Sequence, residues 1–251
     1  MNECILVIPC YNEASRLDRE SFSRFLNSNP GISLLFVNDG SRDSTGEILR
    51  ELCADNSNAA MLDLEKNRGK AEAVRLGMLT AAGMCGDTPA MIGFWDADGA
   101  TPLGEVLLFL EVEKRRGRML LISGCRLRRL GCAVERSFLR HLMGRIFAAV
   151  VGGILRLPVY DTQCGAKLYD AAEVVDLFKE PFATKWFFDV EILCRMSALH
   201  GRENMLRSCY ELPLTAWSEV GGSKLKFFAA AHDFVKLLIL MMFHRKTGKN
   251  R

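Results

Sequence analysis

The 251-residue sequence predicts an α/β fold: a mostly parallel central sheet with helices on both faces and an amphipathic helical segment near the C-terminus. Three observations predict it. Apolar runs of strand length recur through the first half, each followed by a polar loop and then a helical apolar pattern. The first runs lack polar alternation, as in strands covered on both faces. Carboxylates stand directly after two of these strands, at Asp39 and at Asp96 with Asp98, where open α/β sheets take ligands.

Bulk properties narrow the class. At 49% hydrophobic residues the chain fills a core, and a net charge of only +3 argues against a general polyanion binder, so no nucleic-acid partner is expected. The basic residues are uneven, however. Arg126, Arg128, Arg129, Arg136, Arg140 and Arg145 follow Lys114 to Arg118 with only Glu135 against them, which favours phosphate or an anionic surface nearby. Nine cysteines without a C-x-x-C pattern read as free thiols in a reducing compartment, with Cys4, Cys10, Cys164 and Cys194 in apolar contexts. No run reaches about 18 uncharged apolar residues, so no full transmembrane span is expected.

Taken in order, Glu3 to Pro9 is the first strand, ended by Pro9, which lacks an N–H. Asn12 or Ser15 is expected to cap a helix whose apolar side holds Leu17, Phe22, Phe25 and Leu26. Ile32 to Val37 is the second strand, followed by Asp39, a loop ending at Ser44-Thr45, and a helix through Ile48, Leu49 and Leu52. Ala60 to Leu64 is a third strand. The loop Asn67-Arg68-Gly69-Lys70 then opens an alanine-rich helix from Ala71 to Ala82, with Lys70 or Arg68 in reach of a phosphate at its N-terminus. Met91 to Phe94 is the fourth strand, delivering Asp96 and Asp98, and Pro102 begins the next helix, Leu103 to Val112.

The second half reads less regularly. Met119 to Ser123 is a strand that aims Arg126 back towards the acidic pair, and Val134 to Leu157 is helical, with Phe138, Leu142, Ile146 and Val150 on one stripe that suits ordinary surface packing first and, as the alternative, a membrane with its arginines at the headgroups. Asp161, Gln163 and Lys167 alternate along Pro158 to Tyr169 as if on one side of an extended stretch. Asp189 opens a helix beside Trp186, Arg207 to Leu214 is a late strand, and Trp217 leads into a glycine-rich loop ending Ser223-Lys224. Lys226 to Phe243 is helical and apolar all round towards its end, a pattern suited to a bilayer surface.

Two carboxylates spaced as Asp96 and Asp98 suit a hard divalent cation that keeps its other positions for water and phosphate oxygens. Such an ion offsets the charge of a departing diphosphate, with Arg126 and Lys70 assisting. The acceptor stays open at this level. A hydroxyl acceptor needs a base such as Asp161 or Asp189, whereas a phosphate acceptor needs cations.

The motifs carry a resemblance. Val7-Ile8-Pro9-Cys10-Tyr11-Asn12-Glu13, Val37-Asn38-Asp39-Gly40-Ser41, Asn67-Arg68-Gly69-Lys70 and Trp95-Asp96-Ala97-Asp98 resemble those of inverting family 2 glycosyltransferases of the GT-A fold. Narrower stretches, Asp161-Thr162-Gln163-Cys164-Gly165-Ala166-Lys167, Trp186-Phe187-Phe188-Asp189 and Trp217-Ser218-Glu219 with Gly222-Ser223-Lys224, are similar to those of dolichyl-phosphate β-glucosyltransferases and their polyprenyl-phosphate relatives, with Ala166 where Phe is commoner. The resemblance implies a nucleotide-sugar donor (UDP-glucose or GDP-mannose), Mg²⁺ or Mn²⁺, a polyprenyl phosphate acceptor, and a cytoplasmic location, peripheral on a membrane face.

It also implies roles. Pro9, Tyr11, Glu13, Asp39, Lys70 and Asp96 are expected on the nucleotide-sugar side, and Asp96 and Asp98 as metal ligands. Asp96, Arg126, Asp161 and Gln163 are expected at the reaction centre. Arg136, Arg140, Lys167, Ser223 and Lys224 are expected on the acceptor phosphate, and Trp186, Asp189 and Trp217 in the acceptor or sugar pocket. The expected organisation is one domain over 1–251, with a nucleotide-sugar half (1–118), an acceptor half (119–224) and an amphipathic tail (225–251). Three alternatives stand beside glucosyl transfer to a lipid phosphate: mannosyl transfer from GDP-mannose, transfer to a soluble or protein hydroxyl, and nucleotidyl transfer to a sugar phosphate.

Overall fold

The computed structural model describes residues 4–84, 91–135, 137–219, 233–239 and 241. Its first half alternates strands and helices: β1 (Cys4–Cys10), α1 (Arg19–Ser28), β2 (Ile32–Asp39), α2 (Thr45–Asp55), β3 (Ala59–Leu64), α3 (Lys70–Met84), β4 (Met91–Trp95) and α4 (Glu105–Arg116). Its second half is β5 (Leu121–Cys125), β6 (Ala133–Glu135), α5 (Phe138–Leu155), β7 (Ala166–Asp170), α6 (Ala171–Phe178), α7 (Phe188–Ser208), β8 (Cys209–Pro213) and β9 (Ala216–Ser218). Seven strands form one sheet in the order β3-β2-β1-β4-β7-β5-β8, and β6 pairs with β9 apart from it. Only β7 runs antiparallel, to β4 and to β5, so the sheet is mostly parallel.

The unbroken apolar strands are explained by two cores. Successive side chains of a strand point to opposite faces. Cys4, Leu6 and Ile8 of β1 join Leu34 and Phe36 in one cluster with α1, α2 and α4. Ile5 and Val7 join Leu35 and Val37 in the other, against Val74 and Met78 of α3 and Val174 of α6. Close approach is enforced at the sheet centre, where a Cβ at Gly93 of β4 would overlap the carbonyl of Lys167 on β7. All of the four cysteines expected to be buried are buried, and burial pushes the Cys164 thiol up to about 11.

Several sequence expectations are corrected. Asp18, not Asn12 or Ser15, caps α1, accepting from Ser21 N at 3.0 Å, because a turn closed on Glu13 O separates that loop from the helix. Val134 lies in β6 opposite Trp217 rather than in a helix, and α5 begins only at Phe138. Arg207 and Ser208 end α7, and β8 starts at Cys209. Asp161 to Gly165 forms a turn, so Asp161, Gln163 and Lys167 do not share a strand face.

For α5 it is the ordinary-packing reading that is corrected. Its stripe Phe138, Leu142, Ile146 and Val150 faces outwards, and Leu139 and Met143 are exposed with it. Only Ala148 and Val151 of this helix are buried. Window Phe138–Leu155 is also long and apolar enough to cross a membrane by length and composition, its arginines notwithstanding. Phe147 packs at 5.9 Å from Phe234, so the helical segment 233–239 lies beside α5 and α7, with Val235 and Ile239 exposed. The rest of the expected C-terminal helix lies outside the described residues.

Candidate functional site

The site is built where β1, β2 and β4 end. After Pro9 the loop Tyr11-Asn12-Glu13 leaves β1, with Asn12 left-handed at φ 53°. That conformation lets Asn12 Oδ1 accept from Arg42 N at 2.8 Å while Glu13 N donates to Thr45 Oγ1 at 2.8 Å, which locks the loop onto the one after β2. Tyr11 is left exposed. Glu13 Oε1 takes Arg16 at 2.7 Å, whereas Glu13 Oε2 is buried without a hydrogen-bond partner. Burial pushes the Glu13 carboxyl up, with Asp98 adding to it against Arg16.

Asp39 is 2% exposed and organises the next loop. It accepts from Arg68 N at 2.7 Å, Gly69 N at 2.9 Å and Asn67 Nδ2 at 3.0 Å. Gly69 takes φ 87°, which a side chain would resist, and so Lys70 is delivered at the start of α3. Beside this loop a cleft of about 520 Å³ opens, lined by Asn38, Ser41, Arg42, Lys66 and Asn67 among others. Its size suits one small ligand.

At the end of β4, Asp96 N donates to Gly165 O at 3.0 Å, and a Cβ on Gly165 would overlap the Asp96 carboxylate. Glycine is thus required for the carboxylate to lie there. Lys70 Nζ meets Asp96 Oδ1 at 2.5 Å. Asp98 Oδ1 accepts from Ala100 N at 3.0 Å, and burial, then the neighbouring Asp96 charge, raises the Asp98 carboxyl. A raised carboxyl beside a like charge, with an unpartnered Glu13 oxygen close by, fits a hard cation. Among the described residues no group of three or more His, Cys, Asp or Glu side chains is placed to hold a metal by itself. Asp96 and Asp98 would therefore hold the ion in company with water and ligand oxygens.

Two buried ion pairs continue the site across β7. Asp161 grips Arg126 through Nε at 2.6 Å, Nη2 at 2.8 Å and the backbone N at 3.1 Å, and also accepts from Gln163 N. Burial works against the Arg126 charge, but Asp161 outweighs it and keeps the guanidinium protonated. The Trp217 ring lies 5.4 Å from the same guanidinium. Lys167 Nζ donates to Asp189 at 2.7 Å and to the carbonyls of Cys164 and Thr162 at 2.5 and 3.2 Å, which engages all three of its protons. Burial raises the Asp189 carboxyl while Lys167, and Lys70 beyond it, pull it down.

Lys70, Asp96, Asp98, Asp189, Lys167, Arg126 and Asp161 are therefore linked by short contacts or mutual fields. The other expected residues sit differently. Arg140 is half exposed on α5 and pairs with Glu219 at 2.7 Å, whose other oxygen caps Ser137 N. Trp186 is 39% exposed, its backbone tied to Asp233. Gln163 Nε2 is buried with no hydrogen-bond partner. Arg136, Ser223 and Lys224 lie outside the described residues.

Sequence reasoning passed over the carboxylates that hold the site loops. Glu191 accepts from Ala183 N and Thr184 N, Glu211 from Tyr160 N and Asp161 N, and Glu105 from Thr215 N. A glutamate inside an apolar strand, as in Cys209-Tyr210-Glu211-Leu212-Pro213, is the signal that marks such a residue.

Comparison with known proteins agrees with this geometry. Residues 5–118 match the family model Glycosyl transferase family 2. A dolichyl-phosphate beta-glucosyltransferase of Trichomonas vaginalis is 30% identical, over 95% of this chain and 73% of its own length. That of Dictyostelium discoideum is 29% identical, over 97% and 75%. Among solved structures, glucosyl-3-phosphoglycerate synthase of Mycobacterium tuberculosis in complex with UDP superposes with a TM-score of 0.67 at 15% identity, covering 98% of this chain and 80% of that one. The same synthase with Mn²⁺ and UDP-glucose gives 0.67 at 16% identity, covering 96% and 79%. At that identity the likeness establishes the GT-A architecture.

Proposed function

The chain belongs to the dolichyl-phosphate β-glucosyltransferase group of family 2 glycosyltransferases, and we propose that it transfers glucose from UDP-glucose to a polyprenyl phosphate, with inversion at the sugar carbon. A phosphate oxygen of the acceptor forms the new bond to C1 of glucose. The bond from C1 to the diphosphate oxygen breaks on the opposite face, and its electron pair leaves with UDP.

One observation supports a phosphate acceptor above a hydroxyl. Both candidate bases are committed to cations: Asp161 to Arg126, and Asp189 to Lys167. A carboxylate so engaged is a poor proton acceptor. A phosphate needs no base, because it is already ionised near neutral pH. It needs positive charge, which Arg126 supplies and which Arg136, Arg140, Ser223 and Lys224 are proposed to extend.

The remaining roles belong to the same proposal. Tyr11, Glu13 and Asp39, with Pro9 near the end of β1, form the nucleotide side, and Lys70 faces the diphosphate. Asp96 and Asp98 would hold Mg²⁺ or Mn²⁺, which would supply positive charge against the leaving diphosphate. Trp217 and Trp186 line the acceptor side. Residues 1–118 thus serve the donor and 119–224 the acceptor. The outward face of α5 with Val235 and Ile239 rests on a membrane surface, as an apolar patch of this kind is covered by a partner or by lipid.

Purified protein incubated with Mn²⁺, labelled UDP-glucose or GDP-mannose, and a short polyprenyl phosphate tests the reading. Label from UDP-glucose in the lipid is expected. Transfer from GDP-mannose alone would reassign the donor, and transfer from neither would overturn the proposal.

A further inference from the structure

Glu211 stands on β8 and aims its carboxylate at the turn before β7. Oε2 accepts from Tyr160 N at 2.6 Å and Oε1 from Asp161 N at 2.8 Å. The carboxylate shares with Asp161 and Lys167 the polar end of a cavity of about 220 Å³ otherwise walled by apolar side chains such as Leu157 and Leu193. Burial pushes its pKa up, against the two amides that pull it down. Placing a second carboxylate next to Asp161 in such surroundings is costly unless it does something an apolar residue cannot.

What it does is fix two successive peptide planes. Once the amides of residues 160 and 161 converge on Glu211, the direction in which Asp161 leaves the backbone is set. From that position Asp161 takes Nε and Nη2 of Arg126. Nη1 of Arg126 stands outside this clamp, at the end of the guanidinium that Asp161 does not hold. Six residues after Glu211, Trp217 lies over the same guanidinium. A single stretch of chain therefore sets Arg126 from two sides, through the Asp161 turn and through the indole.

We propose that Glu211 is a positioning residue for the transfer reaction, holding the Tyr160–Asp161 turn so that Asp161 presents Arg126 to the reacting phosphate. The proposal rests on the functional reading above, and wild-type transfer to polyprenyl phosphate is measured first for that reason. Glu211→Gln keeps the shape but turns an NH₂ towards one of the two amides. Expected is a fall in kcat of about tenfold or more, with the KM for UDP-glucose and the affinity for UDP with Mn²⁺ within about twofold of wild type.

The discriminating measurement is the double variant. In an Asp161→Asn background, Glu211→Gln should lower kcat by less than about twofold, because its effect runs through Asp161. An equal loss in both backgrounds, or a wild-type kcat in the single variant, would overturn the proposal. Should Glu211→Gln not fold, Glu211→Asp, one methylene short of reaching both amides, serves in its place. A reduced kcat with unchanged UDP affinity supports the proposal, and an unchanged kcat overturns it. A wild-type protein inactive with polyprenyl phosphate overturns the functional reading and this inference together, whereas an active wild type with an indifferent Glu211 overturns this inference alone.

Discussion

Lys70 Nζ lies 2.5 Å from Asp96 Oδ1, so the first residue of α3 places an ammonium on the carboxylate that ends β4. The pair joins the Asn67–Gly69 loop, whose shape Asp39 sets, to the acidic pair that follows the fourth strand. Two residues twenty-six apart in sequence are thereby made one electrostatic unit. Both are partly open to solvent, so the pair contributes little to stability, and under the proposed function it is a contact for the diphosphate.

Replacing Lys70 with Met should therefore act on the ligand rather than on the fold. The affinity for UDP in the presence of Mn²⁺ is expected to fall by about tenfold, with an unfolding temperature close to wild type. Isothermal titration with UDP and a thermal melt check the two halves of this statement.

Asp98→Asn should separate stability from function. A carboxyl whose folded pKa is raised holds its proton more tightly in the folded state than in the unfolded one. Above the folded pKa its charge therefore destabilises the fold, and that cost disappears as the pH falls through the raised value towards the ordinary carboxylate range. Metal-free Asp98→Asn is expected to melt above wild type at pH 7, with the difference shrinking on acidification. Its Mn²⁺-dependent UDP binding should be lost. Melts across a pH series, paired with the titration, provide the check.

Gly165 supplies a steric test of the Asp96 position. In Gly165→Ala the new methyl overlaps the Asp96 carboxylate, and the adjacent backbone hydrogen bond from Asp96 N to Gly165 O resists moving either residue away. Overpacking of this kind costs about 1–3 kcal/mol, and a carboxylate displaced by about 1 Å is expected to lower turnover about a hundredfold. Denaturant unfolding and initial rates measure both.

The outward stripe of α5 is tested with Leu142→Glu and Ile146→Glu together. Both side chains are exposed, so the unfolding free energy should change by less than about 0.5 kcal/mol for each. Flotation with vesicles is expected to be lost, while hydrolysis of UDP-glucose in solution is retained.

The first half of the chain was legible because its signals are local. An apolar run that stops at a polar residue marks a strand end, and Asp39, Asp96 and Asp98 each follow such a stop. The second half depends on partners far apart in the chain. Arg126 finds Asp161, Lys167 finds Asp189, and Glu211 finds Tyr160 only after β7 inserts antiparallel between β4 and β5. No periodicity announces those pairings. The α5 stripe shows a further limit: helical spacing identified Phe138, Leu142, Ile146 and Val150 as one face, but spacing carries no information on whether that face meets the core or leaves it. Val134 went to β6 for the same reason, since its strand exists only through pairing with Trp217.

The central claim is that the end of β4 holds the cation that neutralises the nucleoside diphosphate. A crystal soaked with UDP-glucose and Mn²⁺ tests it most directly. The account predicts the ion bound by the carboxylates of Asp96 and Asp98, with diphosphate oxygens completing its coordination and Lys70 facing the same group. An ion and diphosphate found away from residues 96–98 would contradict it.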